Sequence, residues 1–187
     1  MLPMHLETGD LRVILFVGRQ TSNGNAFHDG EHFVVWLPVE TYESNLLSRV
    51  FVAHEIVHAL HYRSSPDFYF IDEVSKNHLG RQLITEGLAT FLTGDILALS
   101  DAQALWGDYL SQLELEWWLG ECRRYLADIS AYCRLHFDSC SSECNLFRIA
   151  DRGNIRQCRA GYYVGLHVIR KIACKFGLSA RALIEMK

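Results

Sequence analysis

The stretch ESNLLSRVFVAHEIVHALHY, residues 43–62, decides the reading of this chain. It is rich in apolar residues and is predicted to be a long helix, stopped by Ser64-Ser65-Pro66-Asp67. Inside it stands His54-Glu55-Ile56-Val57-His58, an H-E-x-x-H pattern. On a helix, residues four apart lie ~40° apart around the axis and one turn apart along it, so both imidazoles reach one ion. Zinc takes neutral imidazole nitrogens at about 2.0–2.1 Å in four-coordinate geometry. Glu55 is too close to His54 in sequence to bind the ion in the same manner. It can instead reach a water on the metal, which is the position of a general base. With nine histidines in 187 residues, the pattern is expected by chance roughly 0.03 times. Ala53, Ile56, Val57, Ala59 and Leu60 make the surrounding helix apolar, so the two histidines and the glutamate need something to satisfy them.

A catalytic zinc takes three protein ligands and keeps one position open. The third candidate is Glu86, in Thr85-Glu86-Gly87-Leu88-Ala89-Thr90. Leu83, Ile84, Leu88, Phe91 and Leu92 surround it in sequence, which points to a buried, paired carboxylate rather than a solvated one. Gly87 and Ala89 are small enough for this second helix to pack closely on the first. His61 shares the first helix, but it stands about 10.5 Å along the axis from His54 at ~1.5 Å per residue and overshoots the ion. His78, Asp72 and Glu73 lie on the approach to the second helix and are further candidates.

Working outward, residues 11–18 and 31–40 read as strands, the second carrying His32-Phe33-Val34-Val35-Trp36-Leu37. Ser-Asn-Gly-Asn within residues 19–25 is a turn signal. The two strands are expected to belong to a small mixed or antiparallel sheet. Gly18 and Gly24 make no phosphate loop, because no Gly-Lys-Ser/Thr follows them. Further helices are predicted over 72–99, 101–136 (interrupted near Gly107 or Gly120), 159–176 closed by Gly177, and 180–186 capped by Ser179. Residues 138–159 read as a polar loop. A sheet in front and helices behind is an α+β fold, here one domain over residues 1–187.

Composition narrows the functional classes. Apolar residues make up 49%, charged residues 21%, and the net charge is −4, as in an ordinary globular protein. The 18 basic residues are scattered, so no nucleic-acid partner is expected. No apolar run reaches the ~18 residues of a membrane span, so no membrane partner is expected either. The stretch MLPMHLETGD lacks the basic and apolar regions of a secretory signal, which leads us to expect a cytoplasmic protein with reduced thiols. The six cysteines are Cys122, Cys133, Cys140, Cys144, Cys158 and Cys174, with no C-x-x-C pair and no nucleophile signature. His136, Cys140 and Cys144 have spacing that suits a metal on a helix, while Asp138-Ser139 and Ser141-Ser142 read as loop. A disulfide in that loop is the alternative to plain thiols. Oligomeric state is left open.

H-E-x-x-H followed by a glutamate in E-G-L-A resembles the gluzincin metallopeptidases. The chain is most similar to a bacterial family of predicted zinc-dependent proteases, which also carries a downstream G-Y-x-x-G helix, matched by Gly161-Tyr162-Tyr163-Val164-Gly165. The resemblance runs over residues 11–184 and is weak in 101–159. It implies a zincin-like domain with zinc on His54, His58 and Glu86, Glu55 as catalytic base, and a peptide or protein substrate. The 27 residues between His58 and Glu86 exceed the gap in thermolysin-like enzymes. The cysteine-containing loop has no counterpart. Gluzincins often stabilise the oxyanion with Tyr or His from a later helix. The resemblance favours Tyr162 as that catalytic residue, and helical geometry also allows Tyr163 or His167. Zincins commonly bind an extended substrate along a sheet edge, which would give the strand at 32–37 a role. Trp106, Trp117 and Trp118 read as packing or surface residues. The expectation is a zinc metallopeptidase, with a non-catalytic zinc-binding interaction module as the alternative. Glu55 favours catalysis, since binding metal alone requires no base.

Overall fold

The structure is a computed structural model and describes residues 11–18, 25–29, 32–42, 44–69, 72 and 74–186. Three strands, β1 (Leu11–Phe16), β2 (Asn25–Asp29) and β3 (His32–Pro38), form one sheet in the order β1-β3-β2. β1 runs parallel to β3, with Leu11 opposite Phe33, and β2 runs antiparallel to it, with Phe27 opposite Val34. The sheet is therefore mixed. The strand at 25–29 was hidden by the turn signal before it: Asn25, expected in the turn, opens β2. Residues 19–24 lie outside the described residues, as does Glu31. Phe33 and Val35 bury one face of β3 against Ala59, Phe51 and Tyr62 of the first helix.

That helix, α1, spans Asn45–Ser64. Ser44 starts it by accepting the Leu47 amide at 2.9 Å, which satisfies one of the free donors of the first turn. Glu43 lies outside the described residues. Pro66 ends the run by opening a 3-10 turn at Pro66–Phe68.

The second helix is shorter than the predicted 72–99. α2 spans Leu79–Ile96 and is preceded by a 3-10 turn at Ser75–Asn77. The Asp72 carboxylate accepts the Ser75 amide at 2.6 Å and so diverts the chain into a tight turn. His78 then caps the helix, its ring accepting from the Arg81 amide.

The predicted helix over 101–136 is three helices: α3 (Asp101–Trp106), α4 (Gln112–Arg124) and α5 (Leu126–Leu135). The first break falls at Gly107, whose φ is +59°. Ser111 and Glu114 then restart the helix with a reciprocal cap. Gly120 sits inside α4, and the second break is at Tyr125. It turns the chain so that Trp118, Cys122, Ile129 and Cys133 all enter one core.

Residues 136–159 include 3-10 turns at Ser142–Cys144 and Ile155–Gln157 and a bridge between Ile149 and Cys158. α6 (Ala160–Phe176) and α7 (Ala180–Ile184) complete the chain, with Ser179 capping α7. No helix among the described residues is long and apolar enough to cross a membrane.

α2 is the central helix. Leu79 and Leu83 pack into the core that holds Trp118, Ile129 and Leu166, while Leu88 and Leu92 pack with Val57, Ile169 and Ile184. Gly87 was expected to bring α2 onto α1. It meets α6 instead: a Cβ built on Gly87 falls 2.5 Å from the Gly165 carbonyl carbon and oxygen. E-G-L-A and G-Y-x-x-G are thus joined through their glycines, because only hydrogen fits between the two backbones.

Candidate metal centre

His54 and His58 lie one turn apart on α1, and Glu86 approaches from α2. The His54 Nε2 is 3.0 Å and the His58 Nε2 3.6 Å from Glu86 Oε2. The two Nε2 atoms are 3.1 Å apart. Three donor atoms lie within 4.8 Å of one another, and this group can hold a metal ion. The donor set fits one: two imidazole nitrogens and a carboxylate oxygen converge where each pair shares at most one proton, and a cation satisfies all three lone pairs together. The side chains are 11–18% exposed, so the centre is largely screened from solvent.

The electrostatics follow from burial and charge pairing. Burial pushes Glu86 toward its neutral form, but His58 and His54 outweigh it and hold the carboxyl well below the usual range. Burial disfavours protonated His58, and the Glu86 and Glu55 carboxylates overcome that and raise its pKa. Glu55 itself is raised: burial is the largest cause, His58 and His54 oppose it, and Glu86 adds to it.

Glu55, His54, Glu86 and Tyr162 line a common cavity of about 670 Å³. The Tyr162 ring centroid is 6.2 Å from that of His54, and its hydroxyl is held protonated by burial and by the Glu86 carboxylate. Tyr163 and His167 point elsewhere. Tyr163 stands edge-on to Trp118 in the core, and His167 Nδ1 donates to the Tyr163 carbonyl at 3.1 Å. The rivals for the third ligand position are also accounted for. His61 is fully buried with its Nδ1 3.1 Å from the Tyr69 hydroxyl. His78 caps α2, Asp72 is exposed at its turn, and Glu73 lies outside the described residues. Among the described residues no second group of this kind forms, and His136 rests against the Tyr132 ring. All six cysteines are free thiols, including Cys140 and Cys144.

Two expectations need correcting. β3 cannot offer an edge to substrate, because β1 and β2 pair with it on both sides. Trp106, read as a packing or surface residue, also lines the cavity.

Sequence reasoning missed Tyr69. Its hydroxyl lies 3.3 Å from His58 Nδ1 and 3.1 Å from His61 Nδ1. Burial lowers the His61 pKa to about 4, so at neutral pH His61 is uncharged, and the tautomer with its proton on Nε2 lets Nδ1 accept from Tyr69. The Tyr69 oxygen then accepts from His58 Nδ1–H, which leaves the His58 Nε2 lone pair turned to the centre. No spacing rule couples residue 69 to residues 58 and 61; the turn after Pro66 brings it back. No family model, curated protein or solved structure matches this chain.

Proposed function

We propose that this protein is a zinc-dependent peptidase of the gluzincin type on a zincin-like fold. What supports the reading is the meeting of His54, His58 and Glu86 at one point beside Glu55, whose pKa burial raises, on the wall of a cavity. A zinc ion held by those three residues would supply a Lewis acid and lower the pKa of a water. The chain's own groups do the rest. Glu55 takes the proton of the attacking water and delivers it to the leaving nitrogen. Its raised pKa suits both halves of that exchange. Tyr162 remains protonated and donates its hydroxyl hydrogen to the carbonyl oxygen as charge develops there. Tyr69 and His61 fix the His58 ring. The cavity, lined by Phe51, Trp106 and Phe147 beside the polar cluster, suits a peptide with an apolar side chain.

The test pairs metal analysis with turnover. Zinc-loaded protein should bind one ion per chain and cleave a fluorogenic peptide library, and a chelator should abolish cleavage. Glu55→Gln should retain the ion and the fold while losing about 10²–10⁴-fold in rate. Undiminished turnover in Glu55→Gln would remove the proposed base, and a protein that takes up no zinc after dialysis against it would end the reading.

A further inference from the structure

Arg159 holds an unusual place in the same cavity. It stands just before α6 with φ +57° and ψ 24°, the left-handed region, which costs an L-residue bearing a Cβ about 1–2 kcal/mol relative to glycine. Its Cζ lies 4.5 Å from the Trp106 ring centroid and 4.3 Å from that of Tyr162. The two rings hold the guanidinium in place, and no carboxylate among the described residues pairs with it. Trp106 is only 3% exposed, lines the cavity, and its Nε1–H has no acceptor. A second arginine, Arg148, lines the cavity as well. A cation fixed at some backbone strain, beside an unanswered buried donor, is arranged for an anion that the chain does not itself supply.

From this, and resting on the peptidase reading above, we infer that Arg159 binds a carboxylate of the substrate, the free C-terminal carboxylate of a peptide whose last side chain lies on the aromatic wall. A terminal carboxylate sits one carbon from an apolar side chain and so matches a guanidinium bordered by Trp106 and Tyr162. An acidic side chain brings the charge without the apolar body. Distance sets where the chain is cut. Tyr162 lies 4.3 Å from Arg159 Cζ and 6.2 Å from the His54 ring, and these add to an upper bound of 10.5 Å between Arg159 and that ring. At about 3.3–3.6 Å per extended residue, no more than about three residues fit between the carboxylate and the metal ligands. The protein therefore trims peptides near their C-terminus and does not cut within long chains.

Calorimetric titration of the metal-free protein tests this, since with no ion present a carboxylate has no metal to bind. The probes are N-acetyl-phenylalanine, its amide, and N-acetyl-glutamic acid α-amide, which carries only a side-chain carboxylate. N-acetyl-phenylalanine should bind at least tenfold more tightly than either of the others. Arg159→Gly, which suits the left-handed backbone and should fold as the parent does, should bind all three alike. Arg159→Lys should keep part of the preference. Equal binding of acid and amide by the parent, or an unchanged preference in Arg159→Gly, would overturn the assignment of Arg159. Equal binding of the two acids would overturn the choice of a terminal carboxylate. An intact preference in a protein that hydrolyses no peptide would support the carboxylate site and refute the peptidase reading alone.

Discussion

Replacing Gly87 by alanine puts a methyl group where the Gly165 backbone already lies. The new Cβ would stand 2.5 Å from the Gly165 carbonyl carbon and oxygen and 2.8 Å from its Cα. Carbon atoms in contact rest at about 3.5–4.0 Å, so α2 and α6 must part by about 1 Å. Overpacking of this kind costs about 1–3 kcal/mol. The upper end applies because the obstacle is backbone on both sides and no side chain can turn away. Alanine returns about 1 kcal/mol of helix propensity, leaving a net loss of about 2 kcal/mol. Gly120 provides the control. It lies inside α4 with nothing within 4 Å of its would-be Cβ, so Gly120→Ala should gain about 0.5–1 kcal/mol from propensity alone. Urea unfolding followed by far-UV circular dichroism reads both. With a slope of about 2 kcal/mol per molar, Gly87→Ala should lower the midpoint by about 1 M, and Gly120→Ala should raise it. Because Glu86 precedes Gly87, the first variant should also weaken zinc binding while the second leaves it unchanged. A Gly87→Ala protein as stable as the parent would refute the close crossing of α2 and α6.

Glu86→Ala should lower zinc affinity by orders of magnitude in competition with a chelator, since it removes one of three donor atoms; affinity within twofold of the parent would exclude Glu86 as a ligand. Tyr69→Phe removes the hydroxyl between His58 and His61 and should cost about 10–100-fold in zinc affinity without unfolding the chain; an unchanged constant would mean that the His58 ring needs no such support. In the metal-free protein the raised His58 pKa makes its pairing with Glu86 complete below the ordinary value of 6.5 and lost as pH rises through the folded value. Raised Glu55 adds to that loss from 4.5 upward, and the lowered Glu86 contribution disappears only on acidification. The melting temperature of metal-free protein should therefore fall as pH rises above the ordinary imidazole value of 6.5 while zinc affinity rises, and a flat profile for both would contradict the pairing. Alkylation should reach exposed Cys174 first and spare buried Cys122, Cys133 and Cys158, with zinc binding untouched; loss of zinc on alkylation would point to a thiol ligand.

How much was legible from the chain depends on how local the cause is. The i and i+4 spacing of His54 and His58 is a property of any helix, and the apolar flanks made the helix itself plain. Gly107 broke a helix as its φ requires, whereas Gly120 did not, since a lone glycine weakens a helix without ending it. The late start of α2 came with three side-chain bonds between Asp72 and Ser75, which compete with helix on equal local terms. β2 was lost behind a turn signal because a five-residue strand has too few positions to show alternation.

The sequence by itself determined an α+β chain, an H-E-x-x-H helix, and a glutamate among apolar neighbours on another. Only the tertiary structure decided that Glu86 meets both histidines, that Tyr69 returns to brace His58, and that β3 has no free edge. It also decided that Arg159, Trp106 and Tyr162 share one cavity. These relations join residues as far as 56 positions apart, and the geometry of those on the helices is set by how the helices pack. The crossing of α2 and α6 depends on two glycine hydrogens at Gly87 and Gly165, because a close-packed interior lets backbones meet only where no side chain intervenes.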